Sequence, residues 1–229
     1  MSGNLNSKSY HSAGGVESGE LGYLYYSSLR PEMAALLPSP VGRMLDVGCG
    51  TGLFAESLKA NGLAKEVWGV EISADVGKVA AAKLDKVLVG DIADLMCEFP
   101  LASFDAVYFN DSLEHMVDPF TVLRDIKKYV KPGGFILVSL PNVRYIRNLF
   151  ELVFKKDWVY RDHGVLDRTH LRFFTKKSAA RMFEEAGLRV EVVRGIQPSR
   201  KWYIPLLNIL TAGWFEDTLY LQYIWRTRV

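Results

Sequence analysis

Cysteine is scarce: Cys49 and Cys97 are the only two in 229 residues. No disulfide framework is therefore indicated, and a reducing, cytoplasmic setting is the expectation. Long apolar runs are missing too. The longest, Ile204 to Phe215, is broken by Asn208 and Thr211 and is too short to span a bilayer, so no transmembrane segment is expected. Net charge is almost nil at +2, which gives no argument for a nucleic-acid partner. The first twenty residues are polar and rich in Gly and Ser, without the apolar stretch of a signal peptide, and read as a flexible tail. Repeats and low-complexity tracts are absent. So is metal-ligand spacing: His11, His115, His163 and His170 are scattered and do not pair with the cysteines, so no metal is expected.

What is present is an ordinary globular composition, 49% apolar and 24% charged, enough for one domain over residues 21–229. Arg43–Val47, Val67–Ile72, Val87–Val89, Phe104–Phe109 and Phe135–Leu140 are apolar runs of strand length. Leu53–Asn61, Ala74–Leu84 and Phe120–Val130 carry helical periodicity between them. That alternation predicts an α/β fold, a mostly parallel sheet with helices on both faces. Tyr23–Leu37 has helical spacing up to Pro38. Late in the chain, Thr175 suits an N-cap for a helix over Lys177–Ala186, with Gly187 just past its end. Leu188–Val193 and Leu219–Arg226 then suit an antiparallel pair at the sheet edge.

The most informative stretch is Leu45-Asp46-Val47-Gly48-Cys49-Gly50-Thr51-Gly52, a strand running through glycines into a helix. Such a loop lets a ligand approach the backbone, and the helix behind it offers free N–H groups to an anion. Nineteen residues beyond Gly52, at the end of the second strand, stands Glu71, placed to accept from ribose hydroxyls. Gly50-Thr51-Gly52-Leu53-Phe54-Ala55 also satisfies the dinucleotide pattern, which alone is weak. Three features separate the readings. Asp46 would repel a pyrophosphate but welcome an ammonium. Asp91 closes the third strand, where an adenine amino group could donate to it. Lys131-Pro132-Gly133-Gly134 turns the chain into the fifth strand.

Together, over Arg43 to Leu140, these motifs resemble the class I S-adenosylmethionine (SAM) dependent methyltransferases. The resemblance implies a Rossmann-like, seven-stranded sheet with an antiparallel last strand. It also implies SAM as cofactor: Asp46, Gly48, Gly50 and Gly52 at its amino-acid end, Glu71 and Ile72 at the ribose, Asp91 and Ile92 at the adenine. Asn110 and Asp111 are expected to line the same pocket. The segment Asp111-Ser112-Leu113-Glu114-His115, followed by Asp118-Pro119, resembles ubiquinone-pathway O-methyltransferases. Methyl transfer from a sulfonium chiefly needs alignment, exclusion of water and, for a hydroxyl, removal of a proton. His115 and His170 are the candidates for that chemistry, with loop packing the equal alternative for His115.

Two stretches interrupt the resemblance, 143–172 and 198–218. In the first, Ile146, Leu149, Phe150, Val153 and Phe154 predict an amphipathic helix over Arg144–Lys155. Fourteen Lys/Arg stand against five Asp/Glu between Arg124 and Arg181. That excess suggests an anionic or sugar-type small acceptor, with His163, Arg168 and Arg172 as contacts, or else only a solvated basic face. The run Leu166–Phe174 resembles methyltransferases of cell-surface sugar pathways. In the second stretch, Lys201–Phe215 suits a cover over the acceptor or pairing with a second copy as a homodimer. The leading expectation is O-methylation of a small acceptor. An RNA or DNA methyltransferase lacks an appended binding module here. A non-catalytic SAM-binding protein stays open.

Overall fold

The computed structural model describes residues 29–200 and 208–229. The tail over 1–20, the start of the helix read from Tyr23, with Tyr25 and Tyr26, and Trp202, Tyr203, Leu206 and Leu207 lie outside the described residues. Helix α1 (Pro31–Ala34) leads into β1 (Val41–Val47), α2 (Leu53–Ala60), β2 (Ala64–Glu71), α3 (Ala74–Ala81) and β3 (Lys86–Val89). Then follow α4 (Ile92–Leu95), β4 (Phe104–Asn110), α5 (Pro119–Ile126), β5 (Val130–Pro141), α6 (Ile146–Phe154), α7 (Lys176–Glu185), β6 (Arg189–Pro198) and β7 (Tyr220–Arg228).

The strands form one sheet in the order β3-β2-β1-β4-β5-β7-β6. Pairs among the first five are parallel, and β7 runs antiparallel to both β5 and β6. The expected seven-stranded sheet with an antiparallel last strand is thus formed. The late pair is antiparallel, with β7 inserted so that β6 takes the edge. Lys131–Gly134 lie at an irregularity, where the β4–β5 register jumps from Phe104↔Val130 to Ala106↔Phe135.

Side chains of each strand alternate between two cores. Leu45, Val47, Val70, Val107, Phe109, Tyr223 and Trp225 pack on the face covered by α5 and α7. Met44, Val67, Ala106, Tyr108 and Ile224 pack on the face covered by α1, α2 and α3. That period of two decides where the polar strand ends go. Asp46 shares a face with Met44, Glu71 with Val67, and Asn110 with Ala106 and Tyr108. All three therefore gather at the carboxyl ends of β1, β2 and β4, on the α1–α3 side.

Helix α6 forms where expected, with Ile146 and Leu149 half-buried. Its one buried residue is Glu151, whose carboxylate takes two bonds from Arg161 at 2.9 and 2.7 Å and one from Arg147 at 3.3 Å. Phe150, Val153 and Phe154 point outward, Phe154 being 73% exposed. Ion pairing across the polar face anchors this helix, rather than burial of its apolar stripe. No helix among the described residues is long and apolar enough to cross a membrane.

Thr175 caps α7 as expected: its hydroxyl accepts from the Ser178 N–H at 3.0 Å while Ser178 Oγ accepts from the Thr175 N–H at 2.9 Å. Thr175→Ala should lower the unfolding free energy by about 1 kcal/mol in urea denaturation; an unchanged midpoint would show that the cap is idle.

Candidate active site

The loop after β1 is folded tightly enough to present backbone to a ligand. Gly48 N–H and Cys49 N–H both reach the Val70 carbonyl, at 2.8 and 3.0 Å, which ties the loop to β2. Gly48 sits at φ 77°, and a Cβ there would come within 2.9 Å of Ser112 Cβ. Only glycine allows that approach, and it brings the loop against the segment following β4. Gly52, at φ 78°, starts α2 without any side-chain cap, so the positive end of α2 opens onto the loop.

Two carboxylates stand at this mouth. Glu71, 4% exposed, accepts from Gly50 N–H at 2.9 Å and Ser73 N–H at 3.0 Å. Asp46, 1% exposed, accepts from Asn110 Nδ2 at 3.2 Å. Burial pushes the Asp46 carboxyl up to about 7; the Asn110 amide opposes this, Glu71 adds to it, and Arg30 opposes it. A buried carboxylate in this state is stabilised by a cation. Asp91 is exposed and caps α4 through Ala93 N–H at 2.9 Å. Ile72 is exposed at the end of β2, whereas the Ile92 side chain is buried in the core.

Arg30 belongs to this site and was not singled out in the sequence. Its Nη1 pairs with Asp111 Oδ2 at 2.5 Å. Asp111, itself at φ 48°, also accepts from Ser139 Oγ at 2.7 Å and Gln222 Nε2 at 3.1 Å. One carboxylate thus joins the chain before α1 to β5 and β7. Its Nε pairs locally with Glu32 at 2.6 Å, but the bond that draws it into the site goes to Asp111, 81 residues away, which no local pattern marks.

The segment after β4 makes a short turn over Leu113–His115 and meets the end of the 143–172 stretch. The Glu114 carbonyl accepts from Leu171 N–H and Arg172 N–H at 2.8 and 3.0 Å, and Arg172 Nη2 donates to the Val117 carbonyl at 2.5 Å. His115 and His170 stack edge to face with centroids 4.8 Å apart. Among the described residues, Glu114, His115 and His170 each bring one ligand-capable atom within 4.8 Å of the others. Histidines scattered in sequence are thus gathered in space. Two imidazoles and a carboxylate are donors a divalent ion accepts and equally groups that move protons. Both Glu114 oxygens are buried without a hydrogen-bond partner, and burial holds that carboxyl well above its usual range. Burial and the His170 ring lower the His115 pKa, against the Thr169 carbonyl, Asp167 and Asp111.

Beside the histidines stands an aromatic wall: Phe173 lies 5.2 Å from Trp158, 6.4 Å from Tyr160 and 6.3 Å from His170, centroid to centroid. The basic excess is less available than its count suggests. Arg144 pairs with Asp217, Arg147 and Arg161 with Glu151, Arg168 with Asp162, Lys128 with Asp125 and Lys131 with Asp105. His163 and Arg168 are exposed. A separate cleft of about 780 Å³ opens beyond β5 and β6, lined by Tyr145, Gln197, Arg200 and Leu221 among others.

Residues 22–193 match the family described as Methyltransferase domain. A ubiquinone biosynthesis O-methyltransferase of Chromobacterium violaceum is 31% identical over 193 residues, spanning 81% of this chain and 78% of that protein. The protein of the same name from Thiobacillus denitrificans is 31% identical over 189 residues, spanning 79% and 76%. A solved SAM-dependent methyltransferase from Archaeoglobus fulgidus superposes with a TM-score of 0.65 at 20% identity, covering 92% of this chain and 94% of its own. The fold is that of the class I SAM-dependent methyltransferases.

Asp46 gives the pH dependence of stability a definite sign. Its folded pKa, about 7, lies above the roughly 3.9 of an unfolded aspartate, so the unfolded chain loses this proton first. The stability contributed by Asp46 should fall as pH rises from about 4 to 7, by roughly 1 kcal/mol per unit. Asp46→Asn should remove that slope in urea titrations run at several pH values; a variant with the wild-type slope would contradict the assignment.

Proposed function

The chain belongs to the methyltransferase-domain family, and from that membership we propose that it transfers the methyl group of SAM to a hydroxyl oxygen of a small acceptor. The observation that carries the cofactor half is Asp46, a buried carboxylate beside Glu71 and held by one amide. The ammonium of the methionine moiety is the cation that would satisfy it. The Gly48, Gly50 and Gly52 backbone and the uncapped start of α2 would receive the carboxylate of that moiety, with Arg30 nearby as counter-charge. Glu71 keeps lone pairs for ribose hydroxyls beyond its two backbone bonds. Ile72 would border the ribose, and Asp91 and Ile92 the adenine. When bound, SAM supplies a methyl group already activated by the positive sulfur.

The remaining work falls to the chain: aligning the acceptor, shedding water and taking one proton. Ser112 touches the glycine loop, so the turn carrying His115 borders the cofactor's reactive end. His115, its pKa lowered by burial and by His170, is neutral near pH 7 and suited to accept the hydroxyl proton. His170 shares its ring contact, and the wall of Trp158, Tyr160 and Phe173 favours a flat acceptor. His163, Arg168 and Arg172 would stand at the rim. The names of the relatives, O-methyltransferases both, support oxygen as the methylated atom. Pairing of so many basic side chains within the fold favours a small acceptor over nucleic acid, and two free cysteines suit the cytoplasm.

Methyl-labelled SAM offered with a panel of phenols and sugars should leave label on an oxygen of at least one of them. No transfer across the panel would contradict the reading. Glu71→Ala should weaken S-adenosylhomocysteine binding by about 1–3 kcal/mol in calorimetry; unchanged affinity would remove Glu71 from the site.

A further inference from the structure

Asp167 is 6% exposed and lies far along the chain from the turn that carries His115. Its Oδ1 accepts from the Thr169 hydroxyl at 2.6 Å and from the Thr169 N–H at 2.8 Å. A hydroxyl carries one proton, and this one is committed to Asp167. Thr169 Oγ1 can then only accept from His115 Nδ1, 3.2 Å away. The Thr169 carbonyl, an acceptor by nature, lies 3.3 Å from the same nitrogen. Two acceptors facing Nδ1 fix the ring proton there and leave the lone pair on Nε2.

We propose that Asp167 and Thr169 are positioning residues that set the tautomer of His115, so that the 143–172 segment completes the proton-accepting machinery of methyl transfer. The proposal rests on the reading of His115 given above. In the step it serves, the acceptor hydroxyl gives its proton to Nε2 as its oxygen takes the methyl group, and the carbon–sulfur bonding pair stays on sulfur. The resulting imidazolium donates through Nδ1 to Thr169, whose hydroxyl bond to Asp167 brings a negative charge to bear on it. Other charged or titratable groups near the ring are His170, packed against it, and Asp111 and Glu114 of the β4 segment. The end of the 143–172 stretch is held in register by the Glu114 carbonyl, which grips both Leu171 and Arg172.

The geometry separates three substitutions. In Asp167→Asn the side-chain oxygen can still accept from the Thr169 N–H and hydroxyl, so the tautomer is kept while the negative charge behind it is lost. Thr169→Val deletes the link, and Thr169→Ser keeps it. Nitrogen-15 NMR of the imidazoles in the full chain, with EDTA present to keep divalent ions away, reads the tautomer without any turnover. Wild type, Thr169→Ser and Asp167→Asn should all show His115 protonated at Nδ1. In the methyl-transfer assay, Asp167→Asn and Thr169→Val should lose about 10- to 100-fold in kcat. KM for SAM should hold, and in Asp167→Asn, which alone removes the negative charge, the acid limb of the kcat profile should move to lower pH. Thr169→Ser should recover most of the rate. An Nε2–H tautomer in the wild type, or a loss in Thr169→Val that Thr169→Ser shares equally, would overturn the proposal. The expected tautomer in a chain that transfers no methyl group would support the positioning and sink the methyl-transfer reading instead.

Discussion

A carboxylate buried at the end of a central strand, with an amide as its hydrogen-bond partner, is the constraint around which this molecule is arranged. Asp46 is there because strand alternation puts it on the same face as Met44 while the apolar residues on either side of it, Leu45 and Val47, fill the other core. Its neighbours do not neutralise it. Glu71 adds like charge, and Arg30 is engaged by Asp111. An isolated ion in such a place is expensive, and native chains rarely keep one without use. The glycine loop next to it has its backbone drawn tight against β2 and Ser112, and α2 presents an uncapped N-terminus. Together these are the features on which the proposed binding of a zwitterion rests, positive toward Asp46 and negative toward the helix.

Much of this was legible in the chain because it is local. The strand–glycine–helix passage, the acid at the end of β2 and the cap at Thr175 all depend on residues within a few positions of one another, or on strand ends whose positions periodicity fixes. The convergence of Glu114 and His115 with His170 was not legible. The two segments are 55 residues apart, and their meeting depends on backbone bonds from the Glu114 carbonyl that no side-chain pattern announces. Arg30 was missed for the same reason.

Two features of the 143–172 stretch went beyond what pattern could report. A count of basic residues between Arg124 and Arg181 cannot show that Arg144, Arg147, Arg161 and Arg168 spend their charge on carboxylates within the fold. Periodicity located α6 but not the burial of Glu151, which Arg147 and Arg161 hold by ion pairs. Pattern reports which residues share a face; it does not report which face is buried when ion pairs compete with apolar burial. The Glu114 carbonyl, not these ion pairs, ties the segment between the fifth strand and α7 to the β4 loop, bringing His170, Thr169 and Asp167 to His115.

The central claim is that Asp46 awaits an ammonium, and proton release on binding tests it most directly. S-adenosylhomocysteine should be titrated calorimetrically at pH 6 and pH 8, in buffers of different ionisation enthalpy. Binding should expel close to one proton at pH 6 and nearly none at pH 8, and Asp46→Asn should expel none at either pH while binding more weakly. Equal affinity in the variant, with no proton released by the wild type at pH 6, would contradict the account.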